Sequence, residues 1–148
     1  MQKLAHFFHA HTNRKTKEAH TCWLETLQIF RLSCDLFYLL VSHFRSFLKN
    51  DIGVFFQTMI LRCIEPSTFT EVPLENRLIA LDCTLKIFKD AYILVDVFFN
   101  FDCDMNLPNI YERLLSALEK CSQRTDDEEN MDVKNRVCFL LKVHSELR

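Results

Sequence analysis

Glycine is almost missing from this chain. Gly53 is the single example in 148 residues, and proline occurs at Pro66, Pro73 and Pro108 alone. Sandwiches, hairpin-rich folds and dinucleotide-binding units need more turn residues than this, so the scarcity points to long helices. A loop that cradles phosphate needs several closely spaced glycines, and none can be built here. Nucleotide binding of the P-loop or dinucleotide type is excluded. Charge of one sign is also lacking: 18 Lys and Arg against 20 Asp and Glu give a net charge of −2, and no basic face suggests a nucleic-acid partner. Long apolar runs are missing as well. Segments such as Tyr92 to Val95 and Val97 to Phe99 are broken by Asp96, well short of the roughly 18 apolar residues that a membrane span requires. His6, His9 and His11 interrupt what would be the apolar segment of a signal peptide. No pair of cysteines has C-x-x-C spacing. The seven cysteines stand singly at 22, 34, 63, 83, 103, 121 and 138, mostly within apolar stripes, and read as small buried hydrophobes in a reducing compartment. No metal, disulfide or cofactor is expected.

What the chain does have is bulk. Hydrophobic residues make up 49% and phenylalanine occurs 14 times, a globular composition at the length of one domain. Leu27, Phe30, Cys34, Phe37, Val41, Phe44 and Leu48 recur at 3,4 spacing, the signature of one helix face. A second stripe, Ile29, Leu32, Leu36, Leu40 and Phe47, runs beside it. A segment near 75–99 repeats the pattern, with Leu78, Leu81, Leu85, Phe88, Tyr92, Val95 and Phe99 on one stripe and Ile79, Cys83, Ile87, Leu94 and Phe98 on the other. Two stripes on one helix predict cover from neighbours on both sides. Shorter helices are expected over about 2–11, 52–64, from Pro108 to about 121, and over 131–146. Together these predict an all-α protein, an irregular armadillo- or HEAT-like array of about five to six helices. Residues 1–18 are expected to form a short helix and a polar connector (12–18). Residues 19–148 form the main domain, with a solvated acidic loop at 122–130.

Few residues offer chemistry. His6, His9 and His11 have the residue type of a zinc or nickel site, but they lie at a chain end, where frayed structure is the ordinary reading. Cys34 and His43 are nine residues apart on one expected helix, about 13 Å of rise, which rules out a nucleophile and base in contact. Asp126 to Glu129 lack the glycine and alternating ligands of a calcium loop. The segment Asn100-Phe101-Asp102-Cys103-Asp104 stands out, because it puts two carboxylates at the negative end of an apolar helix. Two readings stay open. The carboxylates cap local backbone N–H groups at the turn or the next helix start, or one of them reaches a neighbouring module.

Phe98-Phe99-Asn100-Phe101-Asp102-Cys103-Asp104, followed by Asn109-Ile110-Tyr111-Glu112-Arg113-Leu114, resembles the HUS domain (homology upstream of the Sec-seven catalytic domain) of the large Arf guanine-nucleotide exchange factors. The family's HUS box reads Asn, Tyr or Phe, Asp, Cys, Asp or Asn, and all five positions match. Leu48-Lys49-Asn50-Asp51-Ile52-Gly53-Val54-Phe55-Phe56, Leu85-Lys86-Ile87-Phe88, Asp90-Ala91 and Val95-Asp96 are similar too, over roughly 29–122. The likeness is greatest to the brefeldin-A-inhibited, trans-Golgi subgroup, and no resemblance is named for residues 1–28.

The resemblance implies a non-catalytic regulatory scaffold, cytoplasmic and peripheral on Golgi membranes. It would pair through Asn100, Phe101, Asp102, Cys103 and Asp104 with an upstream dimerisation and cyclophilin-binding (DCB) domain, of the same or another copy, and help control Arf activation. The exchange domain's Phe-Arg-Leu-Pro-Gly-Glu motif has no counterpart, since Phe30-Arg31-Leu32 continues as Ser33-Cys34-Asp35. The alternative is a general interaction module, or one that binds an Arf or Arl GTPase directly through an exposed apolar groove away from the box.

Overall fold

The computed structural model describes residues 2–65, 72–105, 107–123 and 131–146, with side chains from residue 22 onward. Six helices and no strands occur among the described residues. They are α1 (Gln2–Phe44); α2 (49–64), in which Lys49–Phe55 and Arg62–Ile64 flank a wider π-helical stretch, Phe56–Leu61; α3 (Leu74–Phe88); α4 (91–102), whose Ala91–Val97 runs into a π-helical end, Phe98–Asp102; α5 (Ile110–Gln123); and α6 (Met131–Glu146). The protein is an all-α array, as the breaker-poor sequence implies.

Two expected boundaries are displaced. The connector at 12–18 is instead continuous helix within α1. Thr-Asn-Arg-Lys-Thr-Lys-Glu holds no Gly or Pro, and polarity by itself stops no helix. The metal reading of His6, His9 and His11 falls on side chains outside the described residues, as does most of the acidic loop, 124–130. The single long helix expected over 75–99 is two helices. The break falls at Lys89 and Asp90, where the Asp90 carboxylate accepts hydrogen bonds from the Tyr92 and Ile93 N–H groups at 3.0 and 3.3 Å. That is an N-cap, and it starts α4 in a new direction.

The core is assembled around α3. On α3, Leu81 and Phe88 of one stripe and Ile79, Cys83 and Ile87 of the other are all buried, between α1 on one side and α6 on the other. Here the double stripe is clamped as expected. On α1 it is not. Cys34, Phe37 and Val41 are buried, but Ile29, Leu32 and Leu36 are 64%, 67% and 57% exposed, and Phe47 beyond the helix end is 85% exposed. The stripes of α1 therefore have different fates, because α2 and α3 both pack on the Cys34 side and no described residue covers the other. Phe37 fixes the α1–α2 contact, stacking on Phe55 at 3.9 Å between ring centroids and meeting Phe56 edge-on at 5.1 Å. The amphipathic α5 buries Ile110, Leu114, Ala117, Leu118 and Cys121, and α6 buries Val133, Val137 and Leu140. Four cysteines are buried, whereas Cys22, Cys103 and Cys138 are exposed, so the reading of cysteine as core filler holds only for Cys34, Cys63, Cys83 and Cys121.

Candidate interaction site at the Asn100 to Asp104 box

The box closes the end of α4. The Cys103 N–H bonds back to the Phe98 carbonyl at 3.1 Å, a five-residue return of the kind that marks π turns. From this turn the five side chains go to different places.

Phe101 points inward and is 4% exposed. Its ring lies on Gly53 of α2, where a β-carbon would come within 2.8 Å of Phe101 Cε1. The glycine is there for close approach rather than for an unusual backbone angle, since no residue among the described ones has positive φ. Asp102 reaches forward to α5. Its two oxygens accept from the Tyr111 N–H at 3.0 Å and the Glu112 N–H at 2.9 Å. These are the donors that the first turn of a helix leaves without partners, and an N-cap side chain ordinarily serves them. Asn109, the residue in that position, instead donates its amide to Glu112 Oε2 at 2.9 Å. Asp102 is thus a remote cap, placed where the helix dipole favours a negative charge.

Asp104 turns back towards α2, its carboxylate 3.5 Å from Lys49 Nζ. Both side chains are more than a third exposed, so this pair contributes at most about 1 kcal/mol. Asn100 is half-buried and lines a small cleft with Val41, Arg45, Lys49, Ile52 and Asp96. Arg45, just past α1, pairs there with Asp96 of α4 and also donates to the Ser42 carbonyl at 2.9 Å. Cys103 is exposed. The box therefore ties the end of α4 to α2 and α5, and the Arg45–Asp96 pair beside it adds α1.

Of the two readings of the carboxylates, local capping describes Asp102 and an ion pair within the chain describes Asp104. The contacts seen for Phe101 and Asp102 are all within the chain. Phe101 is buried in this chain's own core, and both Asp102 oxygens are committed to α5.

Beside the box, the outer stripe of α4 is bare. Tyr92, Val95 and Phe99 are 78%, 51% and 65% exposed. Val95 and Phe99, with Ala91, Leu94, Phe98 and Tyr111, surround an apolar groove of about 200 Å³. Its floor is braced: Phe98 meets Tyr111 edge-on at 6.0 Å, and the Tyr111 hydroxyl hydrogen-bonds His144 Nδ1 of α6 at 2.7 Å. Periodicity assigned these aromatics to the core. The Asp90 cap, which turns α4 away from the line of α3, was the available signal that they leave it. Gly53 was the other missed partner, and its uniqueness in the sequence was its signal.

Fold and site together define an all-α helical array with a stapled corner and an apolar groove beside it. Residues 19–110 match the family model described as Mon2/Sec7/BIG1-like, HUS domain, and the chain belongs to that family. It is 43% identical over 95 residues to brefeldin A-inhibited guanine nucleotide-exchange protein 2 of Arabidopsis thaliana, and 35% identical over 102 residues to protein 1 of that name from Homo sapiens. These matches take in 64% and 69% of this chain and 5% of each relative. No solved structure matches.

Proposed function

We propose that this chain is a non-catalytic regulatory scaffold domain of a brefeldin-A-inhibited type of Arf guanine-nucleotide exchange factor. It docks on a DCB-type domain, of the same or another copy, and through that contact controls Arf activation at Golgi membranes, where the parent protein is peripheral. No helix among the described residues is long and apolar enough to cross a membrane, in keeping with peripheral attachment.

The observation that carries the docking reading is the groove of Val95, Phe98, Phe99 and Tyr111. Exposed aromatics in one braced patch are the composition of binding hot spots. The box serves that patch from below. Phe101 and Asp102 hold the end of α4 against α2 and α5, so the groove keeps its shape. The experiment is calorimetric titration of this chain with the DCB-type domain of its parent protein. Saturable binding supports the reading, and no heat at tens of micromolar contradicts it.

One observation favours a second reading. Ile29, Leu32 and Leu36 form an exposed apolar stripe on α1, away from the box, which suits direct recognition of a small GTPase of the Arf or Arl type. Binding to this chain that depends on the GTPase's bound nucleotide and is lost in Leu32→Glu would establish it.

A further inference from the structure

Two of the buried cysteines face each other across the α1–α3 contact. The Cys83 thiol donates a hydrogen bond to the Cys34 carbonyl oxygen at 3.5 Å, which sets the Cys83 sulfur beside residue 34. They are not sealed in. Both line a cavity of about 320 Å³ whose wall also carries Arg31, Lys86 and Lys89. The pair is chemically asymmetric. Cys34 is held below the ordinary thiol range, first by the hydrogen bond from Cys83 and then by Lys86, against the opposing effects of burial and Asp35. Cys83 is pushed far up by that same hydrogen bond and by burial. The thiolate is the nucleophilic form of cysteine, so the roles divide into an attacking and a resolving sulfur.

We propose that Cys34 and Cys83 are a peroxide-responsive pair that closes to a disulfide joining α1 to α3. The Cys34 thiolate attacks one oxygen of hydrogen peroxide. The O–O bond breaks, the second oxygen leaves as water after taking a proton, and Cys34 becomes a sulfenic acid. The Cys83 sulfur then attacks the Cys34 sulfur, the S–O bond breaks, and a second water leaves. In sum, two thiols and one peroxide give one disulfide and two waters, and a dithiol reductant reverses the change by exchange.

The test uses the full chain with the exposed Cys22, Cys103 and Cys138 replaced by serine, which leaves four thiols, all buried. After stoichiometric hydrogen peroxide, the free thiols counted under denaturing conditions fall from four to two. Peptide mapping finds Cys34 joined to Cys83, and dithiothreitol restores the count. Adding Cys83→Ser to this background stops the reaction at Cys34, which is then trapped as a dimedone adduct. A count that stays at four, or a bridge that joins any other pair, overturns the proposal.

Discussion

Gly53 and the Phe101 ring are in direct contact, so close that the smallest side chain at Gly53 would stand 2.8 Å from Phe101 Cε1. The contact joins the middle of α2 to the box and sets how near α4 can come. Both Gly53 and Phe101 are buried, so neither can turn aside cheaply. Gly53→Ala is expected to destabilise the fold by about 1–3 kcal/mol, the usual cost of overpacking. In a Phe101→Leu background, where the ring edge is gone, the same change costs less. A double-mutant cycle by urea denaturation measures the coupling, and strictly additive losses would show that the two positions do not press on each other.

Asp102 makes a second prediction. Its carboxylate serves two N–H groups of the first turn of α5, so Asp102→Ala lowers stability by about 1–2 kcal/mol, as for other lost caps. Asp102→Asn, which keeps one acceptor oxygen, falls in between. The local readout is hydrogen exchange. The Tyr111 and Glu112 amides lose protection in Asp102→Ala, while the core of α3 does not. Unchanged exchange at those two amides would refute the remote cap.

The two stripes of α1 give a third. Phe37 is 2% exposed and Leu36, its neighbour in sequence, is 57% exposed. Phe37→Ala therefore costs about 3–5 kcal/mol, and Leu36→Glu stays within about 0.5 kcal/mol of the parent. Comparable losses at both positions would mean that the second stripe is covered within this chain.

Cys63 supplies a pH dependence. Burial, helped by Cys34, pushes its thiol up to about 11 from an ordinary value of 9.0. The folded protein therefore holds the proton to higher pH than the unfolded chain does. The contribution is fully present below about pH 9 and is lost as pH rises towards 11, where the unfolded thiol ionises first. Unfolding free energies for the parent and Cys63→Ala across pH 8 to 11 isolate this group from others that titrate there. The parent should show the steeper decline, and parallel curves would contradict the assignment.

Much of this was legible in the residues, and what was not has physical causes. Breaker scarcity and 3,4 spacing gave an all-α array, and α6 begins and ends where its pattern does. Periodicity reports only that a face is apolar, not whether a neighbour exists to cover it. The stripe of Ile29, Leu32 and Leu36 thus looked like that of Ile79, Cys83 and Ile87, although only the second lies between two helices. The turn at Asp90 escaped because a helix-period pattern continues across it, and local capping decided the break. At the box, the residues carried the likeness to the HUS family, but their partners, Gly53, Lys49 and the Tyr111 and Glu112 amides, are distant in sequence or belong to the backbone. Chemistry named both uses of the Asp102 carboxylate, and the packing of α5 against α4 supplies the capping one.

The central claim is that the box builds a docking face rather than being the contact itself. The most direct measurement is the affinity of this chain for the DCB-type domain of its parent protein, compared between the parent sequence and Phe99→Glu, with circular dichroism confirming that both are folded. Phe99 is 65% exposed, so its replacement should leave the fold intact. The account predicts at least tenfold weaker binding, equivalent to about 1.4 kcal/mol. Equal affinity for the two proteins would contradict it.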